Sequence, residues 1–199
     1  MGKHSFGFSG YAVIFFILLF STALYLNSDT FNLKCVISKV DGNKYCVRDS
    51  KKVEESADLL ATVCTRMKTL VNYMGETYPD RENVQRLVTN FNPNKVMETL
   101  PTSEFTAYSE DKGKKLAFCL RKYKNKMALI DINTLSFVAI HELGHLMTES
   151  VGHKDEFWNN FQFLLENAVK IHVYEPINYA EKSEEYCGMT IDDSPLYGT

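Results

Sequence analysis

Residues 141–153 read HELGHLMTESVGH, which places three histidines and two glutamates within thirteen positions. On a helix, side chains four apart stand on one face about 6 Å from each other, so His141 and His145 can present imidazole nitrogens to one ion. Glu142 is offset by one residue. From there its carboxylate is poorly placed to join the same coordination sphere but can reach a water held on the metal, where a general base is needed. Zn2+ lowers the pKa of bound water toward about 7, so a carboxylate in that position can take the proton as the water attacks a peptide carbonyl. The same carboxyl group then hands the proton to the leaving amine. A four-coordinate catalytic zinc needs a third protein ligand. His153 is the first candidate, because Gly152 lets the chain turn back once the helix ends near Thr148 or Glu149. Glu166 is the rival, since in another zinc-peptidase arrangement the third ligand is a glutamate about twenty residues further on, in the next long helix. Here the gap from His145 to Glu166 is 21.

An HExxH match alone is a modest signal. Its surroundings strengthen it. The motif falls within an apolar helical pattern, TLSFVAIHELGHLMT, and the strand-like MALIDI leads into it. Small Gly144 precedes His145, and a third histidine follows at a usable distance. Burying such groups in an apolar helix without a metal or hydrogen-bond partner would cost about 1–3 kcal/mol for each unsatisfied group.

HELGH followed by GHKDEFW resembles the signature of the WLM (Wss1-like) and SprT-like zinc metallopeptidases. The chain as a whole, from the YCVRD stretch to the YCGMT stretch, is similar to small predicted metallopeptidases of large nucleocytoplasmic DNA viruses. The resemblance implies a zincin-like domain, one Zn2+ held by His141, His145 and His153, a catalytic Glu142, and Phe157 and Trp158 packing the following helix under the site. Seven residues, LMTESVG, separate His145 from His153, two more than those families usually have, so the loop geometry is the chain's own. The metzincin pattern HExxHxxGxxH is absent, and Met189 is not assigned to a Met-turn. Wss1-like and SprT-like proteins are associated with DNA-bound protein substrates. The apolar N-terminus and the absence of a basic domain argue against that role here, and no nucleic-acid partner is expected.

Outward from the motif, the pattern implies an α+β domain. Over residues 54–78 the apolar residues Leu59, Leu60, Val63, Met67, Leu70, Val71 and Met74 recur at three and four, as in an amphipathic helix ended by Gly75 and Pro79. A second helix follows from Asp80 with Val84, Leu87, Val88 and Phe91 inward, stopped by Asn92 and Pro93. FTAYS, KLAFCLR and MALIDI then read as a small antiparallel sheet, with LAFCLR either a substrate-holding edge strand or an interior one. DEFWNNFQFLLENAVKI forms the last helix. The tail from about Tyr174 is expected to wrap the surface, anchored by Tyr186, Cys187, Gly188 and Met189. Tyr174, Tyr179, Tyr186 and His172 are candidates for oxyanion stabilisation. The lysines around the sheet turns, from Lys112 to Lys126, read as solvated loops.

The start differs from the body. No charge occurs between His4 and Asp29, and residues 6–26 would make a helix of about 30 Å, enough to cross a bilayer core. A retained anchor is favoured over a cleaved signal peptide, although Ser21, Thr22 and Ala23 offer small residues for cleavage. Lys3 and His4 ahead of the segment place the N-terminus in the cytoplasm and the catalytic body on the lumenal or external side, a virion membrane being one such setting. The organisation expected is therefore an anchor or signal segment at 1–29, a hairpin and linker at 30–52, and the metallopeptidase domain at 53–199. Of five cysteines, Cys35 and Cys46 flank the turn VDGN and are the first pair expected to bond. A net charge of −3 names no partner. The expected activity is that of a membrane-anchored zinc metallopeptidase acting on protein or peptide. A zinc-binding structural or assembly protein of a virion, and a metal-free interaction module, are the rivals.

Overall fold

A computed structural model describes residues 8–26, 33–124 and 126–197. The fold is α+β, built around α2 (Val53–Thr77), which packs against α3 (Glu82–Asn90), α4 (Ile132–Met147) and α5 (Asp155–Lys170). Helix α2 forms where the periodicity required it, and Leu60, Val63, Met67, Leu70 and Met74 make its buried face. Glu54 and Glu55 occupy its first turn, where the helix dipole favours carboxylates. Gly75 lies inside α2 rather than at its end, because α3 crosses there. A Cβ at that position would stand 3.1 Å from Val88 Cγ2. Val88 therefore lies over α2 with its outer side exposed, not inward as expected, while Val84 and Leu87 enter the core.

The strands differ more from expectation. β1 (Leu33–Ile37) and β2 (Lys44–Arg48) form the antiparallel hairpin, with Cys35 opposite Cys46 and bonded to it. Tyr45 and Val47 carry this hairpin into the core beside α2. The sheet of three strands has the order β3 (Val96–Glu98), β5 (Lys115–Phe118), β4 (Ala107–Glu110). It is mixed, not antiparallel: β3 runs parallel to β5 and β4 antiparallel to it. The MALIDI stretch contributes one isolated bridge, Arg121 to Leu129, instead of a strand. Its place is taken by residues 96–98, which follow a 3-10 turn (Pro93–Lys95) capped by Asn92. β5 is interior, with Leu116, Ala117 and Phe118 fully buried, so a substrate strand cannot pair with it. The edge is β4.

The tail is not a surface wrap. Tyr174 and Tyr179 are buried against Phe137 of α4, with ring centroids 5.9 and 4.8 Å away. Beyond them β6 (Glu184–Tyr186) and β7 (Met189–Ile191) form a hairpin whose two turn residues, Cys187 and Gly188, both have left-handed φ, 54° and 82°. Cys187 is bonded to Cys119, and the Cys187 and Gly188 amides donate to the Arg121 and Lys122 carbonyls at 2.9 and 3.0 Å. Behind this junction Glu98 lies buried between two arginines. Its Oε2 accepts from the Arg48 amide at 2.7 Å, and its Oε1 stands 3.5 and 3.4 Å from the Nε atoms of Arg48 and Arg121. The cluster ties β2, β3 and the end of β5 to the tail hairpin. Cys64 remains a free, buried thiol.

N-terminal to the body, α1 (Phe8–Leu26) is helical, uncharged and exposed: Phe16 is 68% and Phe20 67% accessible. Among the described residues no helix is long and apolar enough to cross a membrane. At 1.5 Å per residue, α1 measures about 28 Å, against a hydrocarbon core of about 30 Å. The crossing expected over residues 6–26 is therefore not shown. Residues 6 and 7, and the flanking Lys3, His4 and Asp29, lie outside the described residues.

Candidate metal centre

Helix α4 delivers the first two histidines. Asp131 caps its start, accepting from the Asn133 and Thr134 amides at 3.0 and 2.9 Å. The helix is apolar nearly all round because it lies between α2, α3, α5 and β4. Gly144 lets α5 approach: a Cβ there would meet Phe157 Cε2 at 3.1 Å. Phe157 is fully buried beneath the histidines, stacked on His145 at 4.4 Å and edge-on to His141 and His153 at 4.8 and 4.6 Å.

His153 arrives on the loop between α4 and α5. Gly152 takes a left-handed φ of 83°, turning the chain back after the helix. Glu156, in the first turn of α5, holds the loop from below, accepting from the Glu149 and Ser150 amides at 2.9 and 3.0 Å. Those hydrogen bonds, helped by Arg86, bring its pKa down to about 2. Nothing in the sequence motif pointed to Glu156. Its position in the acidic first turn of a helix was the available signal.

The three imidazoles converge. One nitrogen from each of His141, His145 and His153 lies within 4.8 Å of the other two, and the Nε2 atoms of His153 and His141 are 3.0 Å apart. A tetrahedral zinc with Zn–N near 2.0–2.1 Å requires nitrogens about 3.3 Å from each other; the pair from His141 and His153 stands near that spacing, and all three lie within 4.8 Å. Burial first, then repulsion by its neighbours, holds the His141 pKa down to about 3. Burial, then His153, holds that of His145 down to about 4. Neutral imidazoles are the ligating form. Glu142 is 5% exposed, its Oε2 has no partner, and burial pushes its pKa up to about 7. An orphaned buried carboxylate beside three converging imidazoles fits a site that a divalent ion and a water complete.

Glu166 is not part of this group. It is exposed on α5 and accepts a hydrogen bond from Gln162 at 3.0 Å. Trp158 flanks His153 at 5.8 Å and is half exposed. Of the oxyanion candidates, Tyr174 and Tyr179 are taken up by the core and His172 is exposed at the end of α5. Tyr186 alone lines the cleft. Its hydroxyl donates to the Thr106 carbonyl at 3.2 Å, and burial followed by the nearby Glu142 carboxylate keeps its pKa high.

The histidines lie at the floor of a cleft of about 610 Å³. One wall is β4, the sheet edge. A second wall is the tail hairpin and the residues after it, including Asp192 and Asp193; the hairpin meets the start of β4 at Thr106. That tail wall was missed from sequence because it is brought to the site over long range, by the bond between Cys119 and Cys187.

No family model matches the chain, and no solved structure matches it. The WLM and SprT-like resemblance is thus not carried by a family match. The chain is 30% identical over 166 residues to the uncharacterized protein R325 of Acanthamoeba polyphaga mimivirus, covering 81% of this chain and 83% of that protein. It is 37% identical over 71 residues, 36% of this chain and 43% of the relative, to the uncharacterized protein 042R of Invertebrate iridescent virus 3. It is 23% identical over 160 residues to the uncharacterized protein 136R of Invertebrate iridescent virus 6, covering 79% and 88%. With a cluster of three converging histidines at the floor of its cleft, the chain belongs to the family of mimivirus R325, whose relatives are proteins of large DNA viruses.

Proposed function

We propose that this protein is a zinc metallopeptidase with a zincin-like catalytic arrangement, in keeping with its motif-level resemblance to the WLM and SprT-like enzymes. The convergence of the three histidine nitrogens beside a buried, unpartnered Glu142 carboxylate carries the proposal. His141, His145 and His153 would hold the ion. When bound, zinc supplies a Lewis acid that polarises a carbonyl and lowers the pKa of water.

The remaining steps belong to side chains and backbone of this chain. An extended substrate pairs with the free edge of β4, whose position beside α4 aims a backbone carbonyl at the histidines. Glu142, with a pKa raised toward neutrality, accepts a proton from the attacking water and delivers it to the leaving nitrogen. Phe161 and Val138 limit water access at the floor. Helix α1, uncharged and apolar on its exposed surface, seats the chain in a bilayer.

Glu142→Gln tests the proposal, since the amide keeps the shape and removes the proton transfer. The variant should bind zinc like the wild type and lose peptide cleavage by roughly 10²–10⁴-fold. Cleavage retained in the variant would remove Glu142 from the mechanism. Zinc bound by a wild-type protein that cleaves no peptide would instead favour a non-catalytic zinc protein.

A further inference from the structure

Resting on the proposal that this cleft takes peptide, the geometry points to its substrate class: an extended segment carrying a large apolar side chain, gripped by a collar of exposed apolar residues. Four large apolar residues that ordinary folding would cover are exposed at the cleft: Phe105 at 65%, Val151 at 84%, Trp158 at 43% and Met189 at 53%. They come from four separate places: the segment before β4, the loop that carries His153, the first turn of α5, and the tail hairpin. Apolar side chains from four elements meeting at one opening mark a contact surface. Of the four, Trp158 also touches the core, through Phe157 and Phe161.

The occupant is a polypeptide and not a lipid surface, for four reasons. The collar surrounds a concavity, so its members face inward across a cleft instead of presenting a convex face. One wall is β4, whose outer edge is paired with no strand among the described residues, and its backbone groups need a partner that a hydrocarbon layer cannot give. The Ser109 hydroxyl on that strand is buried without a hydrogen-bond partner, a vacancy that a substrate amide can fill. Asp192 and Asp193 at the mouth would also repel an anionic membrane. The floor between collar and histidines is apolar, with Phe137, Val138 and Phe161 awaiting a side chain of matching character.

Trp158 is the only tryptophan in the chain, so its fluorescence reports directly on the collar. The experiment uses the full-length, zinc-loaded Glu142→Gln chain and two synthetic peptides of equal length that differ only in a central Phe or Gly. The Phe peptide should shift the Trp158 emission to the blue and bind roughly tenfold more tightly than the Gly peptide. The advantage should shrink severalfold in a Phe105→Ser, Val151→Ser variant whose zinc content is unchanged. Equal binding of the two peptides, or an advantage untouched by that variant, would overturn the inference. So would quenching of Trp158 by vesicles of brominated phosphatidylcholine that the same two substitutions abolish, since the collar would then be a lipid contact. Binding is read without turnover. Failure of the wild type to cleave either peptide would count against the peptidase proposal and leave the apolar preference measurable.

Discussion

Phe157 lies under all three imidazoles, and Gly144 is the residue that allows it. The ring stacks on His145 and touches the other two edgewise, so the histidines are positioned by packing before any ion is present. An alanine at 144 would gain up to about 1 kcal/mol of helix propensity. Against this, its Cβ would stand 3.1 Å from Phe157 Cε2 and 3.5 Å from Phe161 Cβ, an overpacking that costs about 1–3 kcal/mol. Gly144→Ala should therefore lower the urea midpoint modestly and weaken zinc binding, as Phe157 is pushed against His145. A raised midpoint with unaltered zinc affinity would show that the contact relaxes freely. At this scale the sequence was informative because the geometry is local: a four-residue helical spacing and a short glycine-turned loop place His141, His145 and His153 without knowledge of the remaining fold. Glu166 lost its candidacy for an equally local reason, since the helical phase that buries Phe161, Leu164, Leu165 and Ala168 turns it to solvent.

Among elements, the loop between α4 and α5 depends on α5 for its shape. Glu156 accepts two loop amides, and Asn160 donates to Thr148 Oγ1 at 2.9 Å. Glu156→Gln should weaken zinc binding by roughly tenfold, the scale of outer-shell substitutions, through a looser His153. The acid dependence has a definite sign. The folded pKa of Glu156 is about 2, below its ordinary 4.5, so its stabilisation is complete above 4.5 and is lost as pH falls from there toward 2. The stability difference between wild type and Glu156→Gln, followed by denaturant melts, should shrink across that window; a constant difference would place the contribution elsewhere. Periodicity identified α2, α3 and α5 because each has one buried stripe, whereas α4, buried nearly all round, was marked by its apolar run and the histidine motif. The sheet was harder. Residues 96–98 are too short to show alternation, and MALIDI looks like a strand because it is apolar, although it serves as a lead into α4 in which only Ile130 is buried. Which of two apolar stretches lies at the edge is decided by β3 pairing from the far side, a contact across some twenty residues that no local pattern records.

At the scale of the whole molecule, two disulfides, a metal-sized histidine cluster and an apolar helix lie on one chain. The bond between Cys35 and Cys46 followed from a turn, whereas that between Cys119 and Cys187 spans 68 residues and was open to several pairings. Disulfides of this kind are typical of oxidising compartments. If α1 seats the chain in a bilayer, the full-length protein should stay with the membrane pellet through alkaline carbonate extraction; its release into the supernatant would argue for a peripheral or cleaved segment. The cleft is the product of long-range assembly, drawing on β4, α4, the His153 loop and the tail hairpin, so its apolar collar was invisible in any single stretch of sequence.

All of the proposed chemistry depends on one divalent ion held by three imidazoles. X-ray absorption at the zinc edge of the purified, zinc-loaded protein should give one zinc per chain with three histidine nitrogens near 2.0–2.1 Å. In His153→Ala one imidazole shell should disappear, and in Glu166→Ala the spectrum should be unchanged. A protein that retains no zinc, or a coordination shell that keeps all its imidazoles without His153, would contradict the site described here.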